Sequence, residues 1–426
     1  MIIEKEIPVY DFVHVISKAV DLVSPVLYSH HEKVAYVSCR IAQEMQLPAH
    51  EIQDIALASM LHDIGAFSIG ERIKAHVFDY PEGELHEHAL LGYKLLKGFA
   101  PLKNAAMLIK DHHKDYSGSK NDFPIGSHII HLADRVCCIL DENREILAQV
   151  PLILEKINLR SRKYHPAALA ALERLAKLEY FWIEASSPEF GSFLLQKLLF
   201  SIKISGLDTF LKFAKLIAQI IDFRSRFTAT HSSGVAIVAR ELTVISGFSE
   251  RECIMMEIAG LLHDLGKLSV PDDILEKNGG LDSHEINIVR KHTYYTYNVL
   301  SKISGLEDIA ILASYHHERQ DGKGYPFHVK GRDFPKLARI MAVADVFSAI
   351  TEDRPYRAGM DREKAVEIMS GMAETGGIDK HITELANKNF IRINFVRANA
   401  QREAKNEYIN FHETPDQLMA DTLQSA

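Results

Sequence analysis

Several features that are common in secreted and membrane proteins are scarce or missing in this sequence of 426 residues. It has only four cysteines, none of them in a CxxC spacing, which argues against a disulfide framework and favours a reducing compartment. No apolar run approaches the roughly 20 residues of a membrane-spanning helix. The start, MIIEKEIPVYDF, also lacks the basic and apolar regions of a secretory signal. We therefore expect a cytoplasmic protein that does not enter a membrane.

The sequence also lacks an excess of positive charge. With 49 Lys and Arg against 57 Asp and Glu, its formal net charge is −8. This leaves no global basic field to hold long nucleic acid by releasing counterions, so a nucleotide ligand must be attracted by a local basic pocket. The hydrophobic fraction of 47% and the charged fraction of 25% are ordinary for globular proteins, and the length suggests two or three domains.

Histidine, by contrast, is abundant, and its positions repeat along the chain. Many of the 22 histidines lie beside Asp or another His within apolar helical segments, a pattern that suggests metal binding. The segment ASMLHDIGA returns as AGLLHDLGK 201 positions later, and further ligand types follow in the same order at offsets of 204 and 211. The chain is therefore an internal duplication of two related domains. The repeated positions are His30, His62, Asp63, His88, His112, His113 and Asp134 in the first copy, and His231, His263, Asp264, His292, His316, His317 and Asp345 in the second.

Apolar residues recur at helical spacing in both copies, and the alternation typical of strands is nearly absent. We therefore predict an all-α fold of two tandem helical-bundle domains. Ser-Pro and Gly punctuation near residue 190 indicates a boundary between about 195 and 205, so the predicted domains are residues 1–200 and 201–400. The polar segment 401–426 is predicted to be a partly ordered tail.

Five imidazoles and two carboxylates in each copy form a mixed nitrogen and oxygen donor set. Such a set suits two divalent cations such as iron or manganese, with the Asp of each His-Asp pair able to bridge them. Two ions roughly 3.5 to 4 Å apart would bind phosphate oxygens and lower the pKa of a bridging water, which implies hydrolysis of a phosphodiester or phosphomonoester. A single His-Asp pair is as often a hydrogen-bonded core pair, but seven positions recurring in order argue against that interpretation.

The order His, His-Asp, His, His-His, Asp resembles the pattern of the HD superfamily of metal-dependent phosphohydrolases, which implies HD-type bundles for both domains. The second copy also resembles the HD-GYP family of bacterial cyclic dinucleotide phosphodiesterases, through HDLGK, HHERQDGKGYP and RIMAVADVFSAITEDRPYR. Some relatives add a third metal through a Glu four residues before the first His, but Phe227 stands there, so a binuclear centre is expected. By this likeness one metal would be held by His231, His263, Asp264 and Asp345, and the other by Asp264, His292, His316 and His317.

The resemblance also assigns residues to catalysis and to the substrate. Asp264 and Lys267 are the expected catalytic residues, and Lys267 would meet a phosphate oxygen or assist departure of the leaving group. Tyr325 of the GYP turn and the two arginines of RPYR, Arg354 and Arg357, are expected to bind the substrate together with Lys267.

The first copy departs from this pattern where function would be decided. Ala66 stands in place of Lys267, no GYP segment follows His113, and CCILDENREI takes the place of the RPYR region. The retained ligands form a second candidate metal site, in a domain suited to regulation, dimerisation or another ligand. An active phosphohydrolase of different specificity and a metal-free structural domain are the alternatives.

Three functions are compatible with these features. The first is an enzyme that opens cyclic di-GMP to the linear dinucleotide pGpG, and onward to GMP. The second is a phosphohydrolase of another nucleotide such as cyclic GMP-AMP, which the motifs do not distinguish, and the third is a non-catalytic dinucleotide sensor or scaffold. The metal, whether iron, manganese, nickel or zinc, is not fixed by the sequence. Besides the dinucleotide, a second copy of the chain is a candidate partner, giving a homodimer.

Overall fold

The computed structural model describes residues 6–21, 29–66, 78, 86–118, 123–141, 143–199, 201–223, 230–277, 279–353 and 358–412. Helices dominate these residues, which confirms the all-α prediction, and the one sheet among them is an antiparallel pair of two-residue strands, β1 (Ile7–Pro8) and β2 (Lys203–Ile204). Two compact units are present, which we call the N-terminal domain (Glu6–Ile204) and the C-terminal domain (described residues from Ser205 onward). No helix in the described part of the chain is long and apolar enough to cross a membrane.

The N-terminal domain positions its predicted ligands through three packed helices. Helices α2, α3 and α6 pack against one another. His30 is the first residue of α2, His62 directly follows α3, and Asp134 lies within α6. The helices of this domain are α1 (Val9–Asp21), α2 (His30–Glu44), α3 (Ala49–Leu61), α4 (His86–Leu96), α5 (Lys103–Lys110), α6 (Ile125–Ile139), α7 (Ile146–Leu159), α8 (Pro166–Leu175), α9 (Glu179–Ser186) and α10 (Pro188–Leu199).

The C-terminal domain repeats this arrangement and extends it at its C-terminal end. Its helices are α11 (Leu207–Asp222), α12 (His231–Ile245), α13 (Glu250–Leu262), α14 (Asp272–Leu275), α15 (Ser283–Leu300), α16 (Glu307–Ser314), α17 (Lys336–Thr351), α18 (Arg362–Glu374), α19 (Lys380–Lys388) and α20 (Phe390–His412). Helix α12 packs against α13, α17 and α20. Helix α20 runs through residue 401, the predicted start of the polar tail, so the segment 401–412 is helical.

Local sequence determines where two helices begin that position predicted ligands. Ser249 and Glu252 form a reciprocal capping box at the start of α13, and Asp282 and Glu285 form another at the start of α15. Each box satisfies backbone N–H groups that the first helical turn leaves without partners. These caps fix the start of α13, which ends immediately before the His-Asp pair, and the start of α15, which carries His292.

Two glycines allow each His-Asp turn to lie directly against the helix that carries the next histidine. A Cβ atom at Gly266 would lie 1.9 Å from the carbonyl oxygen of His292, and one at Gly65 would lie 2.1 Å from that of His88. No side chain fits at either distance. The duplication therefore extends from the ligands to the close backbone contact that brings them together.

We expect Gly266→Ala to destabilise the protein by about 1–3 kcal/mol, because the added methyl group forces the His-Asp turn away from α15. The free energy of unfolding, measured by urea denaturation, tests this expectation. Gly280→Ala is the matched control, since a Cβ atom there meets nothing within 4 Å. Equal urea midpoints for Gly266→Ala and the wild type would contradict the packing argument.

Candidate functional site

The C-terminal domain gathers its seven predicted ligands in one cluster, which we call the C-terminal cluster. Six of them form two groups, and within each group the potential ligand atoms lie within 4.8 Å of one another. The two groups are His231, His263 and Asp264, and His292, His316 and His317.

Two carboxylates connect these groups. Asp264 directs Oδ2 to His263 Nε2 at 3.2 Å and Oδ1 to His292 Nε2 at 3.5 Å. Asp345 directs Oδ1 to His231 Nε2 at 3.4 Å and Oδ2 to His317 Nδ1 at 3.8 Å. Each carboxylate therefore faces both groups.

Backbone carbonyls set the orientation of the imidazoles. In the C-terminal domain, Nδ1 of three histidines donates a hydrogen bond to the carbonyl oxygen three residues earlier, at 2.6–2.7 Å. A carbonyl oxygen only accepts, so Nδ1 carries the hydrogen of the neutral imidazole and the lone pair of Nε2 faces the cluster. The same bond occurs at 2.7–2.8 Å in the N-terminal domain. The five histidines are His62, His112, His263, His292 and His316.

Several polar atoms that face the clusters are buried without a hydrogen-bond partner in the described structure. They include the Oδ1 atoms of Asp63 and Asp264 and the Nε2 atoms of His62 and His112. A buried polar atom without a partner is costly, and metal coordination would satisfy all four. The donor sets therefore fit divalent cations.

Burial and neighbouring charges hold three of the predicted C-terminal ligands in the protonation states that bind metals. Burial lowers the pKa of His292 to about 3, and burial likewise lowers the pKa of His316, so both imidazoles are neutral near pH 7. Burial alone would raise the pKa of Asp264, but His263 and Lys267 hold it well below its usual value. At these three positions the cluster thus offers two neutral imidazoles and one ionised carboxylate.

The N-terminal domain gathers its seven predicted ligands in a second cluster, the N-terminal cluster. Asp63 Oδ1 lies 3.1 Å from His88 Nε2, and its Oδ2 lies 3.3 Å from His62 Nε2. Each of the seven residues is at most 6% exposed. The potential ligands form a four-donor set of Asp63, His88, His112 and His113, a three-donor set of His30, His62 and Asp134, and a further set of His62 and Asp63 with His31, which the sequence pattern did not predict.

Two of the predicted substrate residues lie beside the C-terminal cluster. Lys267 Nζ donates to Asp264 Oδ2 at 2.6 Å. The ring of Tyr325 lies 5.0 Å from that of His317, centroid to centroid, and its backbone N–H donates to the His317 carbonyl oxygen at 3.2 Å. The other two predicted substrate residues lie outside the described residues: Arg354 and Arg357.

Comparisons with known proteins identify both domains. One family model, described as an HD domain, matches residues 215–382, and another with the same description matches residues 27–138. The chain belongs to the HD superfamily. Its two HD domains stand in tandem, as the duplicated ligand pattern predicts.

Relatives of this tandem-HD chain are named as cyclic dinucleotide phosphodiesterases. The 3'3'-cGAMP-specific phosphodiesterase 1 of Vibrio cholerae is 28% identical over 88% of this chain and 90% of its own length. The response regulator RpfG of Xanthomonas campestris, a cyclic di-GMP phosphodiesterase, is 37% identical over 35% of this chain and 40% of its own. The cyclic di-GMP phosphodiesterase of Thermotoga maritima is 32% identical over 50% of this chain and 56% of its own length. The match therefore spans about half or less of the latter two relatives.

A solved structure shares the fold of the tandem-HD chain. A crystal structure of a cyclic GMP-AMP-specific phosphodiesterase of Vibrio cholerae (V-cGAP3) aligns with a TM-score of 0.60 at 20% sequence identity. The alignment covers 90% of this chain and 97% of that chain. Both HD domains therefore belong to the shared fold.

The sequence pattern did not predict Glu352, which supports a ligand of the C-terminal HD domain. Its two carboxylate oxygens each lie 3.1 Å from His231 Nδ1, and Gln401 Nε2 of α20 donates to Oε2 at 2.9 Å. Burial would lower the pKa of His231, but the charge of Glu352 and the hydrogen bonds to Asp345 and Glu352 raise it. Helix α20 therefore helps to orient His231, a predicted ligand, through Glu352. The only sequence signal is the position of this glutamate just before RPYR.

Two further unpredicted residues organise the GYP turn. The carboxylate of Glu318 accepts hydrogen bonds from three successive backbone N–H groups, those of residues 327–329, at 2.7–3.2 Å. Because Glu318 directly follows His317, these hydrogen bonds connect the turn to that predicted ligand. Arg290 of α15 places Cζ 5.3 Å from the ring centroid of Tyr325, a cation–π contact that adds positive charge beside the turn.

We expect Glu352→Gln to lower the metal affinity of the C-terminal HD domain by about 10- to 100-fold, because His231 loses its anionic acceptor. Competition with a chelator, followed by metal analysis, measures this affinity. Glu363→Gln, on an exposed residue of α18, removes the same charge away from the cluster and is the control. An affinity equal to that of the wild type would show that Glu352 does not support His231.

Proposed function

We propose that the C-terminal HD domain is a metal-dependent phosphodiesterase that hydrolyses a cyclic dinucleotide, with cyclic di-GMP as the first candidate substrate and pGpG or GMP as the product. The observation that carries this proposal is the C-terminal cluster, in which two carboxylates face two groups of imidazoles and Lys267 lies at the edge. The relatives named for this activity support it.

The donor set suits two divalent cations, with iron or manganese as the first candidates. Asp264 would be shared between them, since its two oxygens face different imidazole groups. When bound, such ions supply Lewis acidity at a phosphate and a water activated for in-line attack on phosphorus. One ion would be held by His231, His263, Asp264 and Asp345, and the other by Asp264, His292, His316 and His317.

The exposed side of the C-terminal cluster offers a place for the substrate. The side chain of His317 is 33% exposed and that of Lys267 is 22% exposed, whereas His263 and His292 are buried. Lys267 and Arg290 supply a local positive charge in a chain that is acidic overall. Lys267 can stabilise charge on a phosphate oxygen or on the departing ribose oxygen, and Tyr325 can pack against a base.

A second candidate substrate is 3'3'-cyclic GMP-AMP. It is favoured by one observation: a relative that matches 88% of this chain is named as specific for this nucleotide. The two nucleotides differ only at one base. They share the phosphate geometry that the cluster and Lys267 would recognise.

Turnover of defined nucleotides tests the proposal. Anaerobically purified, metal-analysed protein is incubated with cyclic di-GMP, 3'3'-cyclic GMP-AMP and linear dinucleotides, and the products are separated by chromatography. We expect one of the cyclic dinucleotides to be opened. No turnover of any of them at a full metal content would overturn the proposal.

The N-terminal HD domain has no part in this proposed hydrolysis. Ala66, which is fully buried, stands where Lys267 stands in the C-terminal domain. We propose a regulatory role for this domain. A cytoplasmic location, which the four free cysteines support, and a homodimer stay predictions.

We expect Lys267→Ala to lower kcat by about 100-fold or more while metal content stays near that of the wild type, because the ammonium acts on the substrate phosphate. Steady-state kinetics and metal analysis of the same preparation measure both quantities. Lys302→Ala removes an exposed lysine of the same domain and serves as the control. An unchanged kcat would show that Lys267 only pairs with Asp264 and does not act on the substrate.

We expect Asp264→Asn to abolish phosphodiester hydrolysis and to remove both ions from the C-terminal HD domain, because an amide oxygen is a poor bridging ligand. The helical fold should persist, as judged by circular dichroism. Asp308→Asn makes the same change at an exposed position of α16. If Asp264→Asn retained hydrolysis, the activity would have to be reassigned to another site.

A further inference from the structure

The two HD domains differ at the residue that follows their last carboxylate ligand. Arg135 follows Asp134 in the N-terminal domain, whereas Val346 follows Asp345 in the C-terminal domain. The side chain of Arg135 is among the largest that are fully buried. Its Nε donates to Asp134 Oδ2 at 3.1 Å, and Nη2 donates to the same oxygen. The N-terminal cluster thus contains a permanent cation of its own.

This guanidinium changes what the last carboxylate can offer a metal. In the C-terminal domain, the two oxygens of Asp345 face different imidazole groups. In the N-terminal domain, Oδ1 of Asp134 faces His30 at 3.1 Å, but Oδ2 is engaged by Arg135. A carboxylate whose charge is shared with an arginine is a weaker ligand for a second cation.

The charged groups around the two clusters also disfavour a second cation in the N-terminal cluster. Among the groups described above, the N-terminal cluster has two carboxylates and one guanidinium, whereas the C-terminal cluster has three carboxylates, including Glu352, and one ammonium. Two divalent cations in the N-terminal cluster would therefore face less compensating charge. In a site this enclosed, repulsion between a second cation and the guanidinium is only weakly screened by solvent.

We propose that Arg135 makes the N-terminal HD domain a one-metal centre, with a single divalent cation held by the four-donor set of Asp63, His88, His112 and His113. Arg135 takes the place of the second cation. The proposal concerns metal binding in the N-terminal domain and does not depend on the activity of the C-terminal domain.

The geometry of the four-donor set fits one tetrahedral ion. His88 Nε2 lies 3.1 Å from Asp63 Oδ1 and 3.0 Å from His113 Nε2, and His112 Nε2 lies 4.0 Å from Asp63 Oδ1. Ligands at about 2.1 Å from a tetrahedral metal are roughly 3.4 Å apart, within the span of these distances. Four buried protein donors leave no position for a substrate, which is typical of a structural centre and not of a catalytic one.

The test compares metal content between variants of the full chain, purified from metal-replete cells and measured by elemental analysis. Relative to the wild type, His88→Ala should lose about one ion per chain, and His30→Ala should lose none. Arg135→Val, which installs the residue of the C-terminal domain, should gain about one ion, whereas Arg135→Lys, which keeps the charge, should gain none. These differences do not require the C-terminal domain to hydrolyse anything.

The reciprocal substitution, Val346→Arg, keeps the proposal testable if Arg135→Val fails to fold. Val346 is partly exposed, so Val346→Arg can be accommodated, and it should remove about one ion per chain from the C-terminal cluster. Val346→Leu is its control and should remove none. The proposal is overturned if His88→Ala loses no ion or two, if His30→Ala loses one, or if a folded Arg135→Val gains none. It is likewise overturned if Val346→Arg keeps the wild-type metal content.

Discussion

Both clusters depend on the hydrogen bond from an imidazole Nδ1 to the backbone carbonyl three residues earlier. This bond uses the one hydrogen of a neutral imidazole, so the lone pair of Nε2 is directed toward the carboxylates. Four of the five histidines, His263 and His316 among them, lie shortly after the end of a helix, whereas His292 lies within α15. Helix ends therefore position most of the candidate ligands that make this bond. The capping boxes fix the starts of α13 and α15, and the glycine contacts hold each His-Asp turn against the next helix, so both act on the candidate ligands indirectly.

The clustering of the candidate ligands could be predicted from the sequence, whereas the residues that support them could not. His263, Asp264 and the other ligands repeat in order along the chain, and a repeat is visible without a structure. Glu352 meets His231, and Gln401 meets Glu352, only because α17 and α20 both pack against α12. Such contacts join residues far apart in sequence, and neither residue type signals a metal site by itself. The polar composition after residue 401 likewise conceals a helix that packs on the domain.

Arg135 is a residue whose importance the sequence does not reveal. An arginine beside an aspartate in a helix is ordinary in composition, and its importance follows from complete burial, which the sequence does not display. Burial converts a common pair into a fixed positive charge at a donor set. Burial would lower the pKa of this guanidinium, but Asp134 raises it above its usual value, so the charge persists.

The two HD domains therefore retained one scaffold while their charges diverged. Backbone contacts such as those at Gly65 and Gly266 are nearly identical, because any side chain there would separate the helices that carry the ligands. Charged groups around the donors are under no such restriction, since Arg135 and Val346 occupy equivalent positions and both lie within a helix, α6 and α17 respectively. One domain exposes His317 and Lys267 at the edge of its cluster, whereas the other encloses every ligand. Packing thus preserves the donor geometry in both domains, and the surrounding charge and exposure determine whether that geometry can serve a substrate.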